Sequence, residues 1–142
     1  PFLAAFIADS ATLANLPKIK ETQRKLADPR LTSAEQRAAL ERDAKVVVLV
    51  TSSIHSTEVG GILTPLSLAY RLATSEDAES QAIRKNTLVI LVPSLNPDGV
   101  DIVGNWYRSS LGKSWEGTQP PTLYHFYTGH DNNRDWYAFT QV

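Results

Sequence analysis

His55 and Glu58 stand three positions apart in the stretch Ile54-His55-Ser56-Thr57-Glu58-Val59-Gly60-Gly61. At that spacing an imidazole nitrogen and a carboxylate oxygen can turn toward one point. That donor pair is one zinc accepts, in a tetrahedral shell of nitrogen and oxygen ligands. The bland alternative is a loop histidine next to a first-turn helix carboxylate. A second polar cluster, Gly129-His130-Asp131-Asn132-Asn133-Arg134-Asp135-Trp136, comes near the end of the sequence. Arginine offers a planar fork that matches a carboxylate, and asparagine adds a neutral donor. Asn133 and Arg134 could therefore clasp a substrate carboxylate; as a bare polar run they would be a solvated turn. Between the two clusters, Asn96-Pro97-Asp98-Gly99 reads as a tight turn, with proline presetting φ and glycine closing it.

The elements that must position these residues follow from hydrophobic periodicity. Val46 to Val50 is uniformly apolar, which predicts a strand buried on both faces, as in a parallel sheet. After the His55 stretch, Ile62, Leu66, Ala69, Tyr70 and Ala73 form a helical stripe, with Pro65 expected in or near the first turn. Thr87 to Val92 predicts a second buried strand. Strand, helix and strand at this spacing make a right-handed βαβ unit. Ligands bind such sheets outside the carboxyl ends of the strands. His55 and Glu58 follow one such end, and Asn96 to Gly99 follows the other.

Upstream, Phe2 to Ile7 suits an edge strand or part of a helix. Two short helices are expected around Pro17, and Ser33 with Gln36 forms a capping-box pattern that opens a helix over 34–43. From Val100 the regular periodicity is lost. Residues 100–130 are expected to form a long loop, with Trp106, Tyr107, Trp115, Tyr124, Phe126 and Tyr127 beside Arg108, Lys113, His125 and His130. Such a loop suits a substrate cleft, or a surface loop packed by its own aromatics.

Composition narrows the class. The 142 residues carry a net charge of −1, 42% hydrophobic and 20% charged residues, which is a globular balance. Without a Lys/Arg block, neither a nucleic-acid nor an anionic-membrane surface is indicated. With no cysteine, any metal must be held by His, Asp or Glu. No apolar run reaches membrane-spanning length, and no signal peptide is visible.

Taken together, His55-Ser56-Thr57-Glu58, Asn96-Pro97-Asp98-Gly99 and Asp131-Asn132-Asn133-Arg134-Asp135-Trp136 resemble the zinc carboxypeptidases, the M14 metallopeptidases. Order and approximate spacing agree across residues 46–136. The resemblance implies an α/β fold, a mixed, mostly parallel sheet with helices on both faces. It implies that His55 and Glu58 are zinc ligands and that Asp131 accepts the other ring N–H of His55. Asn133 and Arg134 would bind the free carboxyl terminus of a peptide substrate, and Arg108 would stabilise the oxyanion. The family's third zinc ligand and its general base lie further downstream and have no counterpart here. His125 and His130 remain as candidate third ligands, although the resemblance places neither at the metal. Residues 1–142 are therefore expected to be the amino-terminal part of one catalytic domain. Such a part would be inactive without its carboxyl-terminal half and would leave an open sheet edge and an exposed apolar face. The resemblance also implies a secreted or periplasmic setting. Competing expectations are a zinc-dependent amino-acid deacylase and a non-catalytic carboxylate-binding module.

Overall fold

The computed structural model describes residues 2–126 and 129–140; Tyr127, counted above among the cleft aromatics, lies outside them. The chain is α/β. Its strands are β1 (Ala5–Ile7), β2 (Val46–Thr51) and β3 (Thr87–Val92), in the order β1-β3-β2. β1 pairs antiparallel with β3, in the register Ala5↔Leu91, Phe6↔Ile90 and Ile7↔Val89. Two helices, α4 (Val59–Thr74) and α5 (Ala78–Asn86), connect β2 to β3, so the sheet is mixed. The remaining helices are α1 (Ser10–Ala14), α2 (Leu16–Ala27), α3 (Ala34–Asp43) and α6 (Pro97–Ser110). Short 3-10 turns cover Pro29–Leu31 and Asn132–Trp136.

The described residues fall into two compact units. One takes 5–50 and 68–91, the other 2–4, 51–67, 92–126 and 129–140. In the first unit alternation along the strands sorts side chains to two faces. Ile7, Val89 and Leu91 point to one face and form a core with Leu72, packed by Ala5, Val50, Leu68, Ala69 and Ile83. The second half of α4 and α5 thus cover that face. Phe6, Leu88 and Ile90 point the other way and, with Val47, line an apolar gap of about 630 Å³ closed by Leu16 and Ile19 of α2. Helices therefore lie on both faces of the sheet. Pro17 sits in the first turn of α2, where its missing N–H costs nothing. Ser33 and Gln36 make both bonds of the capping box that starts α3.

Four expectations are corrected. β2 is an edge strand among the described residues, so Val46 (59% exposed) and Leu49 (63%) are not buried, whereas β3, flanked on both sides, is. Apolar composition reports a strand's character and not the number of its neighbours. Pro65 lies inside α4, beyond its first turn, where it removes one helical hydrogen bond. The packed side of α4 is Leu68, Ala69 and Leu72, while Leu66, Tyr70 and Ala73 of the expected stripe are exposed. Finally, residues 97–110 are helix α6 and not loop. Asn96 caps it, its Oδ1 accepting from Gly99 N–H at 3.0 Å, and Pro97 takes the first turn. An Asn-Pro pair that reads as a turn is also a helix start, since the first turn of a helix and a type I turn share their backbone angles.

Candidate metal centre

The site is built within the second unit, at the loop that leaves β2. Ser53, buried, takes φ +58°, a left-handed backbone uncommon for a residue with a Cβ, and accepts a hydrogen bond from Ser94 Oγ at 3.3 Å. The loop then presents His55, and α4 starts immediately after Glu58. Asn96, only 3% exposed, ties this loop to its surroundings. Its Nδ2 donates to Ile54 O (3.3 Å) and to Tyr124 O (3.0 Å), and its own carbonyl accepts from Ser56 Oγ (3.3 Å). Gly99 is required at the same junction. A Cβ there would stand 2.2 Å from Tyr124 O and 2.4 Å from Ser56 Oγ, inside any allowed contact. The Asn-Pro-Asp-Gly stretch is thus a helix cap that also binds the His55 loop to residue 124.

His55 lies between two carboxylates. Its Nδ1 is 3.3 Å from Glu58 Oε1 and its Nε2 is 3.0 Å from Asp131 Oδ1. Asp131 caps the 3-10 turn Asn132–Trp136. Its Oδ1 also accepts from Tyr124 Oη (2.8 Å) and from Asn133 N–H (2.9 Å). The Tyr124 bond, with those of His55 and Asn133, holds the Asp131 carboxyl down at about 2. Asp131 is therefore an acceptor at neutral pH, and His55 donates to it through Nε2–H. That bond, followed by the one toward Glu58, raises the His55 pKa above its ordinary 6.5 despite partial burial. Burial, then the bond to Asp131, pushes the Tyr124 phenol up to about 12.

In a neutral His55 with its proton on Nε2, the Nδ1 lone pair faces the Glu58 carboxylate. Two acceptors in contact are relieved by a proton or by a cation between them. A tetrahedral zinc bound to one nitrogen and one oxygen would separate them by about 3.4 Å, and the pair stands at 3.3 Å. His55 and Glu58 therefore fit two corners of a zinc shell. Among the described residues no third His, Cys, Asp or Glu joins them in a group able to hold a metal. His125 is buried, and its Nε2 donates to His130 O at 2.8 Å. His130 is exposed and stands 4.0 Å from Asp135. Neither completes the pair.

The other expected residues are placed as follows. Asn133 and Arg134 sit in the 3-10 turn directly after Asp131, Arg134 exposed and close enough to Tyr124 to act on its phenol. Arg108 is exposed on the last turn of α6 and donates to Asn105 Oδ1 at 3.0 Å. It shares with Thr57, Val59, Val103 and Trp106 the wall of a mainly apolar cavity of about 660 Å³. Two contributors were read in the sequence for other roles, Asn96 as part of a turn and Tyr124 as one aromatic of a long loop. Asn96 carried a signal in the Asn-Pro cap pattern. Tyr124 carried none, because nothing in the sequence aims its hydroxyl at Asp131, seven positions on, or its ring at His55.

The geometry defines an α/β protein with an imidazole and a carboxylate paired where a strand gives way to a helix. A sequence profile of the zinc carboxypeptidases, peptidase family M14, matches residues 18–141, and the chain belongs to that family. No curated protein and no solved structure matches it. No helix among the described residues is long and apolar enough to cross a membrane.

Proposed function

We propose that this chain supplies the zinc-binding pair and the substrate-carboxylate clasp of a metallocarboxypeptidase, an enzyme that hydrolyses the carboxyl-terminal peptide bond. The observation that carries this reading is His55 held between Glu58 and Asp131 at 3.3 and 3.0 Å. His55 Nδ1 and the Glu58 carboxylate would hold the zinc. Asp131 keeps the ring proton on Nε2 and so leaves the Nδ1 lone pair free to bind. Bound zinc would supply a Lewis acid that polarises the scissile carbonyl and makes water more acidic. Arg134, with Asn133, would pair with the terminal carboxylate and fix the register of the peptide. Arg108, at the cavity wall, would meet the negative charge that develops on the carbonyl oxygen. Further strands of the same domain would add along the β2 edge, where Val46, Val48 and Leu49 are exposed.

The test compares a short peptide with its amidated analogue, using the full-length protein and added zinc. Arg134→Ala should cost about 2–5 kcal/mol in kcat/KM on the free-carboxylate peptide, the range for losing one partner of a desolvated charge pair. The amidated peptide, poorly cleaved throughout, should lose far less. Equal losses on both substrates would remove Arg134 from the clasp. Cleavage only of acylated amino acids would favour a deacylase, and no cleavage of either substrate class would leave a binding module.

A further inference from the structure

Tyr124 touches both His55 and Asp131 without being a candidate ligand. Its hydroxyl donates to Asp131 Oδ1 at 2.8 Å, the shortest of the three bonds to that oxygen. Its ring meets the His55 ring edge-on, with centroids 5.7 Å apart at 83°, and meets His125 in the same manner at 5.1 Å. Its main-chain carbonyl is held by Asn96 Nδ2 and stands where a Cβ on Gly99 would collide. Residue 124 is thus fixed at both ends, by backbone to the start of α6 and by hydroxyl to Asp131.

The consequence is geometric. A carboxylate on a short side chain can rotate about two torsions, and the Asn133 N–H alone leaves Oδ1 free to swing about that one bond. A second donor, fixed from another direction, holds the oxygen in place. Once Oδ1 is held, the Nε2–H bond sets the plane of the imidazole and the direction in which Nδ1 points. The edge-on ring contact opposes tilting of the same imidazole.

We propose that Tyr124 is a positioning residue: acting through Asp131 and by direct ring contact, it fixes the tautomer and orientation in which His55 presents Nδ1 beside Glu58. Where it concerns zinc, the proposal rests on the metal reading above.

The experiment uses the full-length protein and Tyr124→Phe, which keeps the ring and removes only the hydroxyl. Two quantities are read. One is zinc affinity, by competition with a chromophoric chelator. The other is the position of the His55 ring proton in metal-free protein held above the raised pKa of His55, where the ring is neutral, by nitrogen–proton NMR, with His55→Ala assigning the signal among the three histidines. Removing the outer partner of a metal-bound histidine weakens affinity about 10–100-fold, the range expected for Asp131→Asn. Tyr124→Phe acts one contact further out and should weaken zinc by about 3–10-fold on the same scale, with proton density moving from Nε2 toward Nδ1. In the Asp131→Asn background it should add little.

Wild-type affinity and an unmoved ring proton in Tyr124→Phe, with both changed in Asp131→Asn, would overturn the proposal. So would a full additional loss in the double variant, which would mean that Tyr124 acts independently of Asp131. If Tyr124→Phe does not fold, fluorotyrosine at the tyrosine positions keeps the ring and changes only how strongly the hydroxyl donates; a His55 ring signal that does not respond overturns the proposal, and one that shifts supports it. A His55 proton resident on Nδ1 with Nε2 bare contradicts the proposal. Zinc retained by His55→Ala would sink the metal reading instead, and the ring-proton measurement would still decide whether Tyr124 orients His55.

Discussion

The two units are held by different kinds of contact. In the unit of residues 5–50 and 68–91, nearly all buried bulk is apolar, with Ile7, Leu72, Leu88, Val89 and Leu91 at its centre. In the other, the buried side chains are mostly polar: Ser53, Ser56, Asn96, Ser110, His125 and Asp135. The first is held by non-directional packing, which tolerates small shifts. The second is held by hydrogen bonds, which fix directions and lose strength steeply when bent. A site that must aim one imidazole nitrogen at a point needs directions more than bulk. The first unit is a packed sheet; the second carries a polar knot around Asn96 that ties down the loop of His55.

The contrast can be broken in either unit. Leu91→Ala removes a side chain that is 1% exposed. It should destabilise the protein by about 2–5 kcal/mol in urea unfolding, through lost transfer energy and a cavity. Zinc affinity, measured where the variant is still folded, should be unchanged. Asn96→Ala should cost less stability, about 2–3 kcal/mol, for a lost helix cap and two carbonyls left without their donor. It should nonetheless weaken zinc binding. If Leu91→Ala loosens zinc as much as Asn96→Ala does, the contrast does not extend to zinc binding.

A smaller effect sharpens the comparison through pH. His55 has its pKa raised from 6.5, so its pairing stabilises the metal-free fold fully below that value. The contribution fades as pH climbs through the raised pKa. Asp131 is lowered from 3.8 to about 2, so its contribution holds above 3.8 and is lost as pH falls toward 2. The pair should therefore add most stability to metal-free protein between about pH 4 and 6.5. Asp131→Asn should flatten that maximum in urea midpoints taken across pH. Zinc has the opposite preference, because it competes with the proton on His55, so its affinity should fall on acidification. A maximum that survives in Asp131→Asn would assign it to other groups.

The apolar unit was the more legible in sequence. Thr87 to Val92 reads as a buried strand and is one, and Ser33 with Gln36 reads as a capping box and makes both bonds. These are local signals, and periodicity or spacing carries them. The same signals could not tell that β2 has one neighbour and β3 two, since pairing depends on strands far away in sequence. In the polar unit, the pairing of His55 with Glu58 was legible because only three positions separate them, and their side chains do meet at 3.3 Å. The link from His55 to Asp131 spans 76 positions and was legible only through the family resemblance. Asn96 and Gly99 read as a turn because their chemistry suits a turn and a helix start equally. Tyr124 was one aromatic among several until the fold brought its hydroxyl to Asp131.

Most depends on whether His55 and Glu58 hold zinc with Asp131 behind the imidazole. Anomalous diffraction at the zinc edge, from crystals of the full-length protein grown with zinc, tests it directly. One peak is expected at ligand distance, about 2.0–2.2 Å, from both His55 Nδ1 and a Glu58 carboxylate oxygen, with Asp131 still on Nε2. That peak should vanish in Glu58→Ala and in His55→Ala. A peak on His125 or His130 instead, or zinc bound undiminished in both variants, would contradict it.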